Sequence, residues 1–441
     1  MDAITKKYNQ ALEYIYSFVD YSLKHSSELA KAEFNLDRMF ALMESLGNPQ
    51  NSYKTIHITG TKGKGSTAAF CNAALIAGGY QVGLYTSPHL LDFTERIQVN
   101  NANISHRDFV ELVEQIKPHV AKIPKLTTFE ITTALAFMQF ARQKVDVAVI
   151  EVGLGGRLDA TNIITPCVSV ITTISFDHTA VLGNTLALIA AEKGGIIKPG
   201  VPVVIGPQAP EAWQILARIA MNNQCPLADS SKEYSLTPLE KDLTGQHFIA
   251  SPRSGQKGIS LRIPLLGQHQ VENALTALCA LRLSGLDLSQ QQVIDGFAAV
   301  KWPCRFEIAQ QNPTLIFDSA HNEDAFRRLG QTVRAYFPRK KIVLILGISE
   351  DKHLTEMIDQ VEDLMDTLLL TRSFHPRALP VEELAAKLAN RRFAIESHQS
   401  TASALLRALE IAQKDGSIVI SAGSMFVTAE VKEAWMKREQ S

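Results

Sequence analysis

Cysteine is scarce and scattered. The five, Cys71, Cys167, Cys225, Cys279 and Cys304, include no closely spaced pair, which argues against a zinc ribbon or a disulfide-built scaffold and fits a reducing compartment such as the cytoplasm. Neither sign of charge is in excess. With 44 Lys and Arg against 45 Asp and Glu, the formal net charge is -1, leaving no basic footprint for nucleic acid or an anionic membrane. No uncharged apolar run is long enough to span a bilayer, and the opening MDAITKKYNQALEYIYSFVDYS lacks the continuous apolar core of a signal peptide. Internal repeats and low-complexity tracts are also missing, which sets solenoids aside. What is present is a globular composition, 46% hydrophobic and 20% charged, in a chain of 441 residues. That exceeds the usual size of one domain, so two are expected, in a monomer without nucleic-acid or membrane partners.

The first sixty residues read as amphipathic helices, with apolar positions three and four apart in ALEYIYSFV and LDRMFALMESLG. From Lys54 the pattern changes. Short β-rich runs (TIHITG, QVGLYTS, DVAVIEVG, CVSVITTIS, VPVVIG) alternate with helical stretches such as STAAFCNAALIAGG and FEITTALAFMQFARQ, which predicts a mainly parallel sheet covered by helices on both faces. Ser105 to Asp108 forms a capping-box pattern that starts one helix at HRDFVELVEQIKPHV. A hairpin is expected from about Gln246 to Pro264, turning at PRSGQKG, before a helix in HQVENALTALCALRLSG. A second βα series (TLIFDSA, KIVLILG, DTLLLT, SIVISAG) follows a joint near Trp302-Pro303. The expected fold class is therefore α/β. An ATP-binding domain with a phosphate loop spans 1–300, and a smaller Rossmann-like domain spans 301–441.

The run TIHIT leads into Gly60-Thr61-Lys62-Gly63-Lys64-Gly65-Ser66-Thr67 and then at once into a helical stretch. Strand, glycine loop and helix make a phosphate cradle. Backbone N–H groups turn on the anion, the helix N-terminus adds positive potential, and Lys64 can neutralise phosphate oxygens. The spacing is shorter than in the common G-x-x-x-x-G-K-[ST] loop. G-T-x-G-K-G-S-T resembles instead the loop of the folylpolyglutamate synthase and dihydrofolate synthase family of Mur-type ligases, and further motifs of that family follow in order along nearly the whole chain.

By that resemblance, Ser87 of Thr86-Ser87-Pro88-His89-Leu90 and Glu151, at the head of EVGLGGRLDATN, would bind Mg²⁺, with His178 of Asp177-His178 as a second metal ligand; two Mg²⁺ ions are implied. Lys193 of AEKGGIIKP sits where the family carbamylates a lysine, with Gly194 in place of the commoner alanine. Asn273, in GQHQVENA, would contact the nucleotide. Arg305, in the PCRFE turn with Cys304 replacing the commoner glycine, would reach across to the triphosphate, a role suited to its planar fork. In Asp318-Ser319-Ala320-His321-Asn322, Asp318 would contact the nucleotide and His321 would lie near the incoming glutamate. Arg96 of FTERI would hold a substrate carboxylate. Weaker matches are Asp351-Lys352, His375-Pro376-Arg377-Ala378 and Gly423-Ser424, the last placing Ser424 near substrate. From its position alone, Phe129 could offer an aromatic face to a pterin.

The implied activity is addition of L-glutamate to the carboxylate of tetrahydrofolate, dihydropteroate or both. It runs through an acyl phosphate made from ATP in a cleft between the domains, with Lys64, Lys193 and His321 as catalytic groups. A cell-wall amino-acid ligase is the nearest rival, but its nucleotide-sugar-binding domain would not fit in the 59 residues ahead of Gly60. A nucleotide-binding regulator would be expected to lack some of these positions, and all are present.

Overall fold

The computed structural model describes residues 2–21 and 34–439. Part of the predicted N-terminal helical region, residues 22–33, lies outside the described residues; on either side of it are helices Ala3–Tyr16 and Asp37–Ser45. Among the described residues, no helix is long and apolar enough to cross a membrane. The chain divides into two compact units. One contains 1–239, 247–262 and 271–300, and the other 240–246, 263–270 and 301–441.

The first unit is built on β1 (Lys54–Thr59), β2 (Val82–Tyr85), β3 (Ile97–Val99), β4 (Ala102–Asn103), β5 (Val147–Glu151), β6 (Val168–Ile171), β7 (Val203–Ile205) and β8 (Leu227–Asp229). Their order is β4-β3-β2-β5-β1-β6-β7-β8. Pairing is parallel from β2 through β8 and antiparallel only at the β3 and β4 edge. The central strands are apolar nearly throughout because helices cover both faces. On one face Phe109, Phe137 and Phe140 are buried with Ile150, and further along the same face Ile189 and Leu216 pack under Ile171 and Ile205. The helix at His106–Val120 starts where the sequence places it, with the Ser105 side chain accepting from the Asp108 N–H. In β1 and β5, Ile58 stands opposite Glu151, so the phosphate loop and the Glu151 carboxylate leave the sheet at the same carboxyl end.

The expected hairpin is present as β10 (Gly245–Pro252) and β11 (Ile259–Ile263), but a further strand, β9 (Tyr234–Asp242), makes the sheet three-stranded in the order β11-β10-β9. β9 is mostly exposed and carries Pro238, so the apolar alternation that marks a strand in sequence is missing.

The second unit has β12 (Glu307–Gln311), β13 (Thr314–Phe317), β14 (Ile342–Leu346), β15 (Met365–Leu370), β16 (Ala394–Ser397) and β17 (Ile418–Ala422), ordered β12-β13-β17-β14-β15-β16. All neighbours are parallel except β12 with β13. Its core gathers Phe326, Leu344, Leu368, Leu384 and Ile420. The four predicted runs are β13, β14, β15 and β17; the edge strands β12 and β16 are additional.

Candidate active site

The glycine loop is shaped by its surroundings. Gly60 and Gly63 have φ of 151° and 87°, and side chains at either would collide: a Cβ on Gly60 would lie 1.9 Å from Thr172 Oγ1, and one on Gly63 2.2 Å from Asn273 Oδ1. Gly63 caps the helix Lys64–Ala77. The N–H groups of Thr61 and Lys62 donate to Thr173 O at 2.9 and 3.0 Å, and Thr61 Oγ1 donates to Ser175 O at 3.1 Å. The loop is thus tied to the segment that follows β6, while Asn273 lies against Gly63, the structure bringing together a residue and a loop the sequence proposed separately. Gly65, Ser66 and Thr67 form the buried first turn of the helix. There the hydroxyl of Thr67 is buried without a hydrogen-bond partner, an arrangement that leaves a donor for a bound anion.

Three lysines crowd this loop. Lys64 Nζ stands 3.9 Å from Glu151 Oε1, Lys62 Nζ 3.2 Å from Asp177 Oδ2, and Lys193 Nζ donates to Gly60 O at 3.0 Å. Lys193 is 4% exposed. Burial, reinforced by the positive charges of Lys64 and Lys62 against the opposing carboxylates of Asp177 and Asp159, lowers its pKa to about 7. Its helix, Leu186–Gly194, is capped by Thr185. A Cβ on Gly194 would lie 2.6 Å from Ile219 Cδ1, so in this chain the Ile219 side chain occupies the space an alanine methyl would take.

Two of the residues proposed for Mg²⁺, Ser87 and Glu151, are neighbours. Ser87 N donates to Glu151 Oε2 at a long 3.4 Å, and Glu151 is 5% exposed. His178, in left-handed backbone, has Asp177 Oδ1 at 3.9 Å from its Nε2. No group of three or more His, Cys, Asp or Glu side chains converges among the described residues. Mg²⁺ takes few protein ligands and completes its shell with water and phosphate oxygens, so one hydroxyl and one carboxylate beside a phosphate loop fit that ion.

Around the neighbouring edge, Arg96 is 8% exposed. Its Nε donates to His89 Nδ1 at 2.9 Å and its guanidinium lies 4.9 Å over the Phe93 ring. Burial first, then Arg96, lowers the His89 pKa to about 4, so the imidazole is a neutral acceptor. Phe129 lies in the first turn of the helix Thr128–Arg142, held by the Thr127 and Glu130 capping box. A Cβ on Gly153 would meet its ring at 2.5 Å, which places Phe129 over the segment leaving Glu151.

In the second unit the PCRFE turn has left-handed backbone at Cys304 and Phe306, φ 55° and 49°. Asp318 accepts from Phe306 N at 2.8 Å and from Ala320 N at 2.7 Å. Burial raises its pKa, opposed by Arg305 and those two N–H groups. Arg305 Nη1 donates to Cys304 O at 3.0 Å, and His321 Nδ1 bonds Ser319 O at 2.8 Å. Ser424, 7% exposed, accepts from Phe426 N. Of the weaker matches, Asp351 contacts Lys352 at 3.0 Å and Arg377 at 3.8 Å.

Some supporting residues were not singled out from the sequence. Asp159 Oδ1 accepts from Thr161 N at 3.0 Å and Oδ2 from Leu154 N at 2.9 Å. Buried His57 on β1 bonds the Thr161 hydroxyl at 2.9 Å. Together they fix the GLGGRLDATN loop after β5. Asp159 was legible within that motif, whereas His57 reads as one more position of an apolar strand.

A nucleotide-type phosphate loop on a parallel sheet, with a buried low-pKa lysine against it and a second α/β unit, defines a Mur-type ligase. In agreement, residues 58–281 match the Mur ligase middle domain and residues 304–425 the Mur ligase glutamate ligase domain. The dihydrofolate synthase/folylpolyglutamate synthase of Bacillus subtilis is 33% identical over 411 residues, covering 90% of this chain and 94% of that protein. The Escherichia coli protein of the same name is 32% identical over 98% of this chain and 97% of its own. Mycobacterium tuberculosis folylpolyglutamate synthase complexed with ADP superposes with a TM-score of 0.88 at 33% identity, over 98% of both chains. E. coli FolC in complex with DHPP and ADP gives 0.82 at 30% identity, over 96% of this chain and 100% of that one. The chain belongs to the folylpolyglutamate synthase/dihydrofolate synthase family of Mur ligases.

Proposed function

We propose that the chain is an ATP-dependent ligase that forms an amide between L-glutamate and the carboxylate of a folate, extending tetrahydrofolate and also converting dihydropteroate to dihydrofolate. The observation that carries this reading is the buried Lys193 amine 3.0 Å from Gly60 O, at the wall of a phosphate loop, in a chain of this family. The names of the relatives and the ADP and DHPP of the solved complexes support the substrate assignment. Residues 1–300 are assigned to ATP and folate, residues 301–441 to glutamate, in a cytoplasmic monomer.

No enzyme nucleophile is required. The folate carboxylate attacks the γ-phosphorus of ATP, ADP leaves, and the acyl phosphate is then attacked by the glutamate amine, which gives up a proton as phosphate departs. The loop N–H groups, Lys64 and Arg305 neutralise charge on the phosphates as it shifts. Ser87 and Glu151 would hold Mg²⁺, with His178 at a second ion, and the bound metal would supply further neutralisation of the phosphate oxygens. Asn273 secures the loop at Gly63 and contacts the nucleotide, and Asp318 orders the turn that presents Arg305. Arg96 and Phe129 receive the folate; His321 and Ser424 receive the glutamate. With its pKa lowered to about 7, Lys193 has a substantial share of free amine at neutral pH, the form that adds CO₂ to become a carbamate.

The test offers purified protein ATP, magnesium and glutamate with dihydropteroate in one reaction and tetrahydrofolate in another, and weighs the products by mass spectrometry. One added glutamate in both is expected. Gain on tetrahydrofolate alone would restrict the enzyme to extension, and gain on neither would overturn the reading.

A further inference from the structure

Arg305 extends from a turn whose two flanking residues, Cys304 and Phe306, have φ of 55° and 49°. L-residues avoid this region, so such a turn persists only where its surroundings hold it. Cys304 N donates to Glu307 Oε2 at 2.9 Å, Cys304 O accepts from Ser319 N at 3.0 Å, and Phe306 N donates to Asp318 Oδ2 at 2.8 Å. Two carboxylates therefore grip the backbone on either side of Arg305. Asp318 is anchored a second time through Ala320 N. Glu307 is anchored from much further along the chain, because Lys432 Nζ lies 2.7 Å from each of its oxygens.

Lys432 belongs to the helix Met425–Glu439. Its side chain is only 14% exposed, and its ammonium lies 5.9 Å from the centre of the Phe317 ring. Trp435, nearly one turn on, packs edge-on against the same ring and donates from its indole nitrogen to Gln310 Oε1 at 3.4 Å. Two side chains on one helix face thus fasten the helix to the β12–β13 edge beside the turn. A charge-assisted pair with two short contacts fixes the Glu307 carboxylate more firmly than the single Cys304 N–H could.

We infer that Lys432, acting through Glu307, is a positioning residue for Arg305 and so helps set the affinity for the triphosphate. The inference rests on the assignment of Arg305 to the triphosphate made above. Lys432→Met keeps the aliphatic stem against Phe317 but removes the charge; Glu307→Gln keeps an acceptor for Cys304 N and is the second variant should the first fold poorly. Each is expected to raise KM for ATP about tenfold, the scale of a slightly misplaced binding group, with KM for folate unchanged, and Lys432→Arg is expected to restore it. In an Arg305→Ala background, Lys432→Met is expected to cost nothing more, since the two act in series. A Lys432→Met effect of full size in that background would overturn the inference alone, as would a lowered melting temperature with all KM values unchanged. Unchanged KM for ATP in Arg305→Ala itself would overturn the assignment of Arg305, and the inference with it.

Discussion

The two units both present their chemistry at the carboxyl ends of parallel strands, yet they handle charge in opposite ways. In the first, three lysines gather at one loop. One is buried with its pKa lowered to about 7, and another stands 3.9 Å from the Glu151 carboxylate. In the second, the carboxylates of Asp318 and Glu307 are engaged by backbone N–H groups and by Lys432, and their effect is to shape the turn under one arginine. The first arrangement keeps one buried amine at an electrostatic cost, whereas the carboxylates of the second are paired within the turn they shape. Like charges held close in a low-dielectric pocket favour a polyanion, and a clamped turn favours a fixed geometry.

The contrast is most strained by Lys64→Ala. Turnover is expected to fall on the order of 10²-fold or more with little change in melting temperature; an equal loss of stability would mean that the lysine serves the fold. Next is Gly63→Ala, which forces a Cβ onto Asn273 Oδ1 in left-handed backbone. ADP affinity, read by calorimetry, should drop about tenfold or more, since strain of this kind costs roughly 1–3 kcal/mol. Lys193→Met probes the burial cost. Its amine titrates near 7 in the folded chain against the ordinary 10.5, so between those values the unfolded chain binds the extra proton and native stability rises with pH. In CO₂-free buffer the wild type should therefore gain stability relative to the variant from pH 7 to pH 9 in denaturant melts, and a flat difference would show that the amine keeps its proton. Phe129→Ala should raise KM for folate by about two- to tenfold, the value of one aromatic contact, while KM for ATP stays put. The smallest effect is expected in the second unit. Cys304→Gly relieves left-handed strain and gives up a buried thiol, opposing changes that should leave stability within about 1 kcal/mol, as thermal melts would record.

Buried runs such as DVAVIEVG and KIVLILG were legible as parallel strands because both faces are covered and the sequence is apolar throughout. β9, β12 and β16 escaped notice for the converse reason: they are exposed or half-exposed, and their pairing is decided by backbone partners that leave little trace in composition. Much of the candidate site was readable as motifs, since a glycine loop after a strand has few other physical uses. The supports were not. Lys432 meets Glu307 across 125 positions, and His57 meets Thr161 across 104, so neither pairing follows from local spacing. The βα alternation after Lys301 is visible in the sequence, but the grouping of 240–246 and 263–270 with that stretch depends on long-range packing.

The wall of the phosphate loop at Gly63 is supplied by Asn273, a residue synthesised long after the loop itself. During translation the glycines would leave the ribosome as a loop with one side missing, and tight nucleotide capture would have to wait until the helix Gln268–Leu283 had emerged and docked. A nascent chain stalled before that helix should carry most of the parallel sheet and yet bind ATP poorly.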